Sequence, residues 1–376
     1  MAESRATLAN WRAAPYNRWA FHHVREIVPS ADITSDPRGI RTLASEAMDF
    51  GALRIDPDAG EALTLERFLQ EANADGFAVV HRGRLLYERY YNGMTDETPH
   101  ILMSVSKAML GLLFHGLSLS AERRVTEILP GLDPTAYRGA RIRHLLDMRA
   151  GIAFNEDYLA TSGPIVQYRK ATGWNPLAAG EPPSDLRSFY SQLKERDGEH
   201  GRSVHYVSPN TDLLGWVIEQ ASGRRYAELM SEQVWKPAGA ERSAYITVDR
   251  LGAPRCAGGM CATLRDLARV GQWMLEARPD FLDDLEHNGD AQAWAAGDLV
   301  PTFPGLPMRY RSHWYILEGA APLLFGWGIH GQFLFVDRRN AIVVAQLASQ
   351  ALPVDVARIG LSLRAVSQIR QVLAHR

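Results

Sequence analysis

Apolar positions along this chain fall into three rhythms. Around residue 80, Phe77-Ala78-Val79-Val80 and Leu85-Leu86-Tyr87-Glu88-Arg89-Tyr90 flank His81-Arg82-Gly83-Arg84. Two strand-like runs about a short polar turn predict a β-hairpin over residues 77–90. The same signal returns near the C-terminus, where Gln332 to Val336 and Ala341-Ile342-Val343-Val344-Ala345 flank Asp337-Arg338-Arg339-Asn340. A third rhythm closes the chain. Val354, Ile359, Leu361, Leu363, Val366, Ile369 and Val372 recur at near-helical spacing and predict a long amphipathic helix. Elsewhere, the unbroken run Ala108-Met109-Leu110-Gly111-Leu112-Leu113-Phe114 predicts a buried helix beginning near Ser104, and the stretch from Asp185 to Gly198 reads as a polar surface helix.

Strands near both ends and a helix-rich middle predict one sheet assembled from distant segments, an α+β architecture. The expected division is a discontinuous α/β domain over 1–108 and 230–376 and a mainly helical domain over 109–229. Residues 163–183 are rich in glycine and proline and read as a long loop, a length usually associated with function.

Composition narrows the function classes. The 376 residues suffice for one large domain or two, and the hydrophobic content of 46% is that of an ordinary globular protein. A net charge of −2, with no basic stripe interleaved with aromatics, argues against nucleic acid as a partner. Two cysteines, Cys256 and Cys261, exclude a disulfide framework, and no His-Glu-x-x-His spacing points to a metal. No cofactor is expected. His22, His23 and His330 read first as packing or capping residues, with His330 kept as a candidate for shaping a pocket. The stretch from Met1 to Thr7 lacks an apolar leader core, and the run after Ser104 is too short for a bilayer, so a cytoplasmic chain without a membrane partner is expected.

Candidate chemistry starts at Ser104-Val105-Ser106-Lys107. On a helix, residues three apart share a face. A lysine packed against apolar neighbours loses hydration, its pKa falls, and it can help deprotonate an adjacent serine. A second Ser-x-x-Lys, Ser191 to Lys194, lies among polar residues that would keep its amine solvated. About a hundred residues after Ser104 comes Tyr206-Val207-Ser208-Pro209-Asn210. A phenol facing a lysine ammonium has a lowered pKa and can shuttle a proton, with Ser208 hydrogen-bonding beside it. The plainer reading is a turn tyrosine before a helix capped by Asn210 or Thr211.

The third element is Gly326-Trp327-Gly328-Ile329. Its glycines allow close backbone approach, and the Ile329 amide could serve an oxyanion; the plainer reading is a strand with glycine bulges. Residues 326–331 also spell G-x-G-x-x-G, but a strand-like run follows rather than a helix, which excludes a dinucleotide fold. No G-x-S-x-G elbow occurs, which argues against an α/β-hydrolase.

In this order, together with Asn17 to Phe21, Asn155-Glu156-Asp157-Tyr158, Asn210-Thr211-Asp212, Ala262-Thr263 and Gly328 to Gln332, these elements resemble the nylon-oligomer (6-aminohexanoate-dimer) hydrolases, members of the class C β-lactamase-like serine hydrolases. The resemblance implies a β-lactamase/DD-peptidase-like fold, an antiparallel sheet flanked by helices plus a mainly helical domain, with the active site between them. It implies Ser104 as nucleophile, Lys107 as its partner, Tyr206 as general base and then acid, and the Ser104 and Ile329 amides as oxyanion hole. The sequence leaves open which of Lys107 and Tyr206 is the formal base, because such a pair titrates together. Tyr158 matches a residue that contacts the substrate amide, and Trp174 one on a loop that closes over the pocket. Arg169, Ser208, Tyr315, Trp327 and His330 complete the candidate substrate-binding set.

Two departures stand out. Where the family has an aspartate for the substrate's amino end, this chain has Arg169, which favours a neutral or acidic acyl group. Where β-lactamases and peptidases of the superfamily carry Lys-Thr-Gly, it has Gly326-Trp327-Gly328 and lacks that lysine, which argues against a true β-lactamase, as it does for the esterase branch. The expected activity is hydrolysis of a small amide or ester through an acyl-enzyme. Acyl transfer, or β-lactamase/DD-peptidase activity, is the alternative. A non-catalytic binding protein is disfavoured because Ser104, Lys107 and Tyr206 are all present. Members of the family often dimerise, so a homodimer is an expectation.

Overall fold

The computed structural model describes residues 5–56 and 61–374; Met1 to Ser4, part of the stretch read for a leader, lies outside them. The main sheet takes strands from three parts of the chain: β1 (Ala44–Ser45), β2 (Ala74–His81), β3 (Arg84–Tyr90), β4 (Met308–Arg311), β5 (Trp314–Leu317), β6 (Leu323–Gly328), β7 (Gln332–Asp337) and β8 (Ile342–Ala348). Their spatial order is β4-β5-β6-β7-β8-β2-β3-β1. All neighbours are antiparallel except β1 beside β3.

Both expected hairpins form. Arg82 and Gly83 carry φ values of 49° and 77°, so the first closes through a two-residue turn of the hand that suits twisted strands. The two hairpins meet where β8 pairs with β2, Val344 opposite Val79.

Alternation along these strands sorts side chains between two cores. Val343, Ala345, Leu334, Ala78 and Val80 face a cluster built on α1 (Val105–His115) and α4 (Leu264–Ala277). Val344, Phe333, Phe335, Phe77 and Val79 face the other way, onto α5 (Val356–Leu373). Each such burial contributes about 1.5–3 kcal/mol, enough to pin the register because a one-residue slip would exchange the faces. The α5 face differs in detail from the sequence reading. Ile359, Leu363, Val366, Ile369 and Leu373 are buried, whereas Val372 is exposed and Leu361 half-buried. Val354 precedes the helix, which starts where the Asp355 carboxylate accepts from the Arg358 amide at 3.1 Å.

Between Val105 and Trp235 the chain folds into helices joined by loops, including α2 (Pro164–Ala171) and α3 (Ser208–Ser222). The expected helix over 185–198 is shorter: it spans Leu186–Tyr190, capped by Asp185, and gives way to a turn in which Lys194 is exposed. A second sheet runs in the order Ser30–Ile33, Ala244–Thr247, Met260–Ala262, His100–Ile101, and its last strand leads directly to Ser104.

At the start of β2, buried Asp75 gathers His100 at 3.1 Å, His22 at 3.7 Å and Arg18 at 3.3 Å. The two histidines and the carboxylate have the spacing to hold a cation. With Arg18 and Asn92 already on Asp75 Oδ1, we read the group as an ion cluster tying the N-terminal segment to the sheet. Among the described residues no helix is long and apolar enough to cross a membrane.

Candidate active site

Ser104 sits at the N-cap of α1, directly after Met103, whose φ of 44° is left-handed and costly for an unbranched long side chain. This turn lifts the hydroxyl out of the strand and onto the first turn of the helix. One turn on, Lys107 is 1% exposed, and its Nζ lies 2.8 Å from Ser104 Oγ, 3.0 Å from Ser208 Oγ and 2.7 Å from the Ala257 carbonyl. Burial lowers the pKa of the amine to about 7, with the charge of Glu156 opposing that shift.

Tyr206 approaches from the other side. Its ring centre is 4.8 Å from Lys107 Nζ, and the ring is buried. The sequence reading had the phenol pKa lowered by the lysine; here burial raises it, because desolvation of a phenolate outweighs the pull of its neighbours. The segment is held by Asp298, whose two carboxylate oxygens each accept from the Tyr206 amide at 3.2 Å and which also meets His205 Nδ1 at 2.7 Å.

Ser208 is the first residue of α3, two residues earlier than the expected caps; Asn210 and Thr211 lie inside the helix and are buried. The cap comes from a distant loop. Glu156 accepts from the Ser208 amide at 2.7 Å and from the Ser208 hydroxyl, an acid placed at the positive end of a helix. Glu156 and Asp298 went unnoticed in the sequence as functional residues. Each lies on a loop far from its partner, and no spacing rule links them to it.

The strand β6 supplies the opposite wall. Its ladder is regular, so the glycines do not mark bulges. They let α1 approach: a Cβ on Gly326 would meet the Ala108 Cβ at 3.0 Å, and one on Gly328 would meet the Ser104 backbone nitrogen at 2.8 Å. The end of β6 and Ile329 are thereby brought beside the Ser104 main chain.

Two adjoining cavities open here. The outer one, of about 430 Å³, is lined by Tyr206, Trp327, Asp298 and residues 155–159, among others. The inner one, of about 30 Å³, is lined by Ser104, Ile329, Ser208, Tyr168, Trp174 and three arginines, Arg12, Arg169 and Arg255. Glu156 and Tyr158 border both. Trp174 is held in place, its indole N–H on Thr247 Oγ1 at 3.1 Å and its ring edge-on to Trp11 at 5.1 Å.

Two expected substrate contacts move out of the pocket. Tyr315 lies behind Tyr206, stacked on Phe325 at 5.2 Å, where it supports the phenol. His330 is buried in a turn with Nδ1 2.7 Å from the Gln350 carbonyl, and burial lowers its pKa to about 4. It packs edge-on against Phe21 and borders neither cavity. Arg169 does border the inner cavity, and it also donates to the Tyr158 carbonyl at 2.9 Å, so it holds the loop bearing Tyr158 as well.

Residues 64–367 match the Beta-lactamase family. The chain is 32% identical over 361 residues to the 6-aminohexanoate-dimer hydrolase of Paenarthrobacter ureafaciens, covering 93% of this chain and 89% of that protein. Among solved structures, a provisionally assigned 6-aminohexanoate-dimer hydrolase from Bacillus anthracis superposes with a TM-score of 0.88 at 23% identity, over 99% of this chain and 98% of the other. A D-stereospecific amidohydrolase from Streptomyces sp. gives 0.59 at 18% identity, over 80% and 97%. These two establish a shared fold.

Proposed function

The chain belongs to the beta-lactamase family and is a hydrolase of that superfamily, and from this premise we propose that it cleaves a small amide or ester through an acyl-enzyme on Ser104. The observation that carries the reading is the hydrogen-bond order around Lys107. The Ser208 hydroxyl donates to Glu156, so Ser208 Oγ accepts from Lys107; the Ala257 carbonyl can only accept. A neutral amine has two N–H groups, and both are directed to those acceptors. Its lone pair then faces Ser104 Oγ, 2.8 Å away. With its pKa near 7, much of Lys107 is in that form at neutral pH.

In this mechanism Lys107 takes the Ser104 proton as Oγ attacks the carbonyl carbon. The oxyanion is received by the Ser104 and Ile329 amides, usually the largest single contribution to such catalysis. Tyr206, kept protonated by its raised pKa, gives its proton to the leaving nitrogen or oxygen as the C–N or C–O bond breaks. The Lys107 ammonium then restores the phenol. Water enters, loses a proton to the same pair and attacks the acyl carbon; the pair returns that proton to Ser104 Oγ as the C–O bond to the serine breaks.

An outer cavity of about 430 Å³ suits a small molecule. Trp327, at the place where the resemblance puts a lysine-bearing motif in β-lactamases and peptidases, offers no cation for their carboxylate, so nitrocefin is expected to be a poor substrate. Acyl transfer remains the second reading, favoured by the small size of the inner cavity beside Trp174, which limits water at the acyl group. Products formed with added alcohols or amines separate the two.

The test is fluorophosphonate labelling followed by intact-mass measurement. Wild type should gain one adduct and Ser104→Ala none, with ester turnover lost in parallel. An adduct that persists on Ser104→Ala would remove the assignment.

A further inference from the structure

The inner cavity behind Ser104 carries more positive charge than its own acids balance. Arg255 is accounted for: its guanidinium lies 2.6 Å from Asp212 Oδ2 and 4.3 Å from the centre of the Tyr168 ring. Arg12 and Arg169 are not matched in this way. Among the described residues Arg12 donates to the Asn175 side-chain oxygen and Arg169 to the carbonyls of Tyr158 and Ala160, all neutral acceptors. Arg12 is held near the indoles of Trp11 and Trp174, 5.7 and 5.8 Å from their centres, and its buried Nε has no hydrogen-bond partner. Three nearby acids, Asp157, Glu156 and Asp212, are already engaged, Asp157 by the Leu159 amide at 2.8 Å. Glu156 receives both donors of Ser208, and Asp212 receives Arg255, the Tyr168 hydroxyl and the Ala257 amide. Burial, with the charges of Arg169 and Arg255, lowers the pKa of Arg12 to about 9. Such a guanidinium is stabilised by an incoming anion.

We infer that this cavity receives a carboxylate carried on the acyl part of the substrate, so that the preferred substrates are half-amides or half-esters of short dicarboxylic acids. The inference rests on the acyl-enzyme reading above. The acyl side is selected by which residues border which space. Ser104 and Ile329 border the inner cavity, whereas Tyr206, the donor to the leaving group, borders the outer one. A carbonyl between Ser104 and Ile329 with its leaving group toward Tyr206 has its acyl chain directed at the arginines. The inner cavity is far smaller than the outer one, about 30 against 430 Å³, and so admits a compact head group and no long chain.

The experiment compares the phenyl half-esters of succinic and glutaric acids with the phenyl ester of glutaramic acid, which has the shape of the glutarate ester without its charge. Rates with Ser104→Ala are subtracted throughout. Wild type should prefer the carboxylates in kcat/KM by about 10- to 100-fold, the worth of a hydrogen bond to a charged group, mainly through KM. The ratio should fall toward one in Arg12→Gln. Because both esters are measured on the same preparation, the ratio does not depend on how much of a variant folds, and Arg169→Gln provides a second reading of it. In 4-carboxyphenyl pentanoate the charge lies on the leaving group, and it should bring no advantage. A wild-type ratio of one or less, a ratio unchanged in both arginine variants, or a preference for the carboxylate on the leaving group overturns the inference. If the neutral ester is still turned over through Ser104, the hydrolase reading survives that result. If no ester is turned over above Ser104→Ala, the hydrolase reading has itself failed.

Discussion

Glu156 receives both the amide and the hydroxyl of Ser208, and so sets which way the Ser208 proton points. Through Ser208 it also sets what Lys107 can do. Its negative charge holds the Lys107 pKa above the value that burial alone would produce. Glu156→Gln is therefore expected to move the acidic limb of the pH–rate profile to lower pH, with a reduced plateau because the hydroxyl loses its charged acceptor. Profiles of kcat/KM on a neutral phenyl ester decide this; a limb displaced upward would contradict it.

For the wild type that limb should lie near pH 7, where Lys107 changes from ammonium to amine, with activity rising as pH rises through it. The raised pKa of Tyr206 removes any fall in activity from phenol ionisation up to pH 9. Tyr206→Phe should lower kcat by about 10²- to 10⁴-fold and leave the limb in place. If the limb disappears with the phenol, Tyr206 rather than Lys107 is the base.

Lys107 also couples stability to pH. Its folded pKa is below its unfolded value of 10.5, so between about pH 7 and 10.5 the unfolded chain binds more protons at this site than the native one. Stability then rises with pH across that window, by about 1.4 kcal/mol per unit from this group. Unfolding free energies of wild type and Lys107→Met, measured from pH 7 to 9, should diverge in favour of wild type as pH rises. Parallel curves would mean that the amine is not depressed.

Gly328→Ala places a methyl group 2.8 Å from both the Ser104 nitrogen and the Leu102 carbonyl, all of it rigid backbone. A loss of about 1–3 kcal/mol in stability is expected. The accompanying loss of turnover should exceed that of Gly326→Ala, whose methyl meets side chains of the helix, Ala108 Cβ at 3.0 Å and Val105 Cγ1 at 3.3 Å. Thermal melts and single-turnover acylation rates provide the comparison; equal activity in the two variants would remove Gly328 from the site.

Much of the fold could be read because its signals are local. The turn at Arg82-Gly83, the alternation in β7 and β8 and the apolar run behind Ser104 each sit within a dozen residues. The Ser-x-x-Lys pair is local as well, since one helical turn brings residues three apart together. Arg169 and Trp174 were legible as pocket residues, although the stretch 163–183 read as one long loop begins with α2, which carries Arg169, and only Trp174 lies in the loop that follows. His330 and Tyr315 were not legible in the same way, because proximity in sequence to β6 and β5 did not reveal which side of the strands their groups occupy.

Residue order along the chain was thus enough to establish the strands, the buried helix that carries Ser104, and the pairing of an alcohol with an amine. It could not establish the direction of the Ser208 proton, the height of the Tyr206 pKa or the unbalanced charge of Arg12. Those depend on groups brought together from positions 12, 104, 156, 169, 206, 257 and 298. Hydrogen-bond direction and desolvation belong to the assembled surroundings of a group, and no stretch of sequence contains those surroundings.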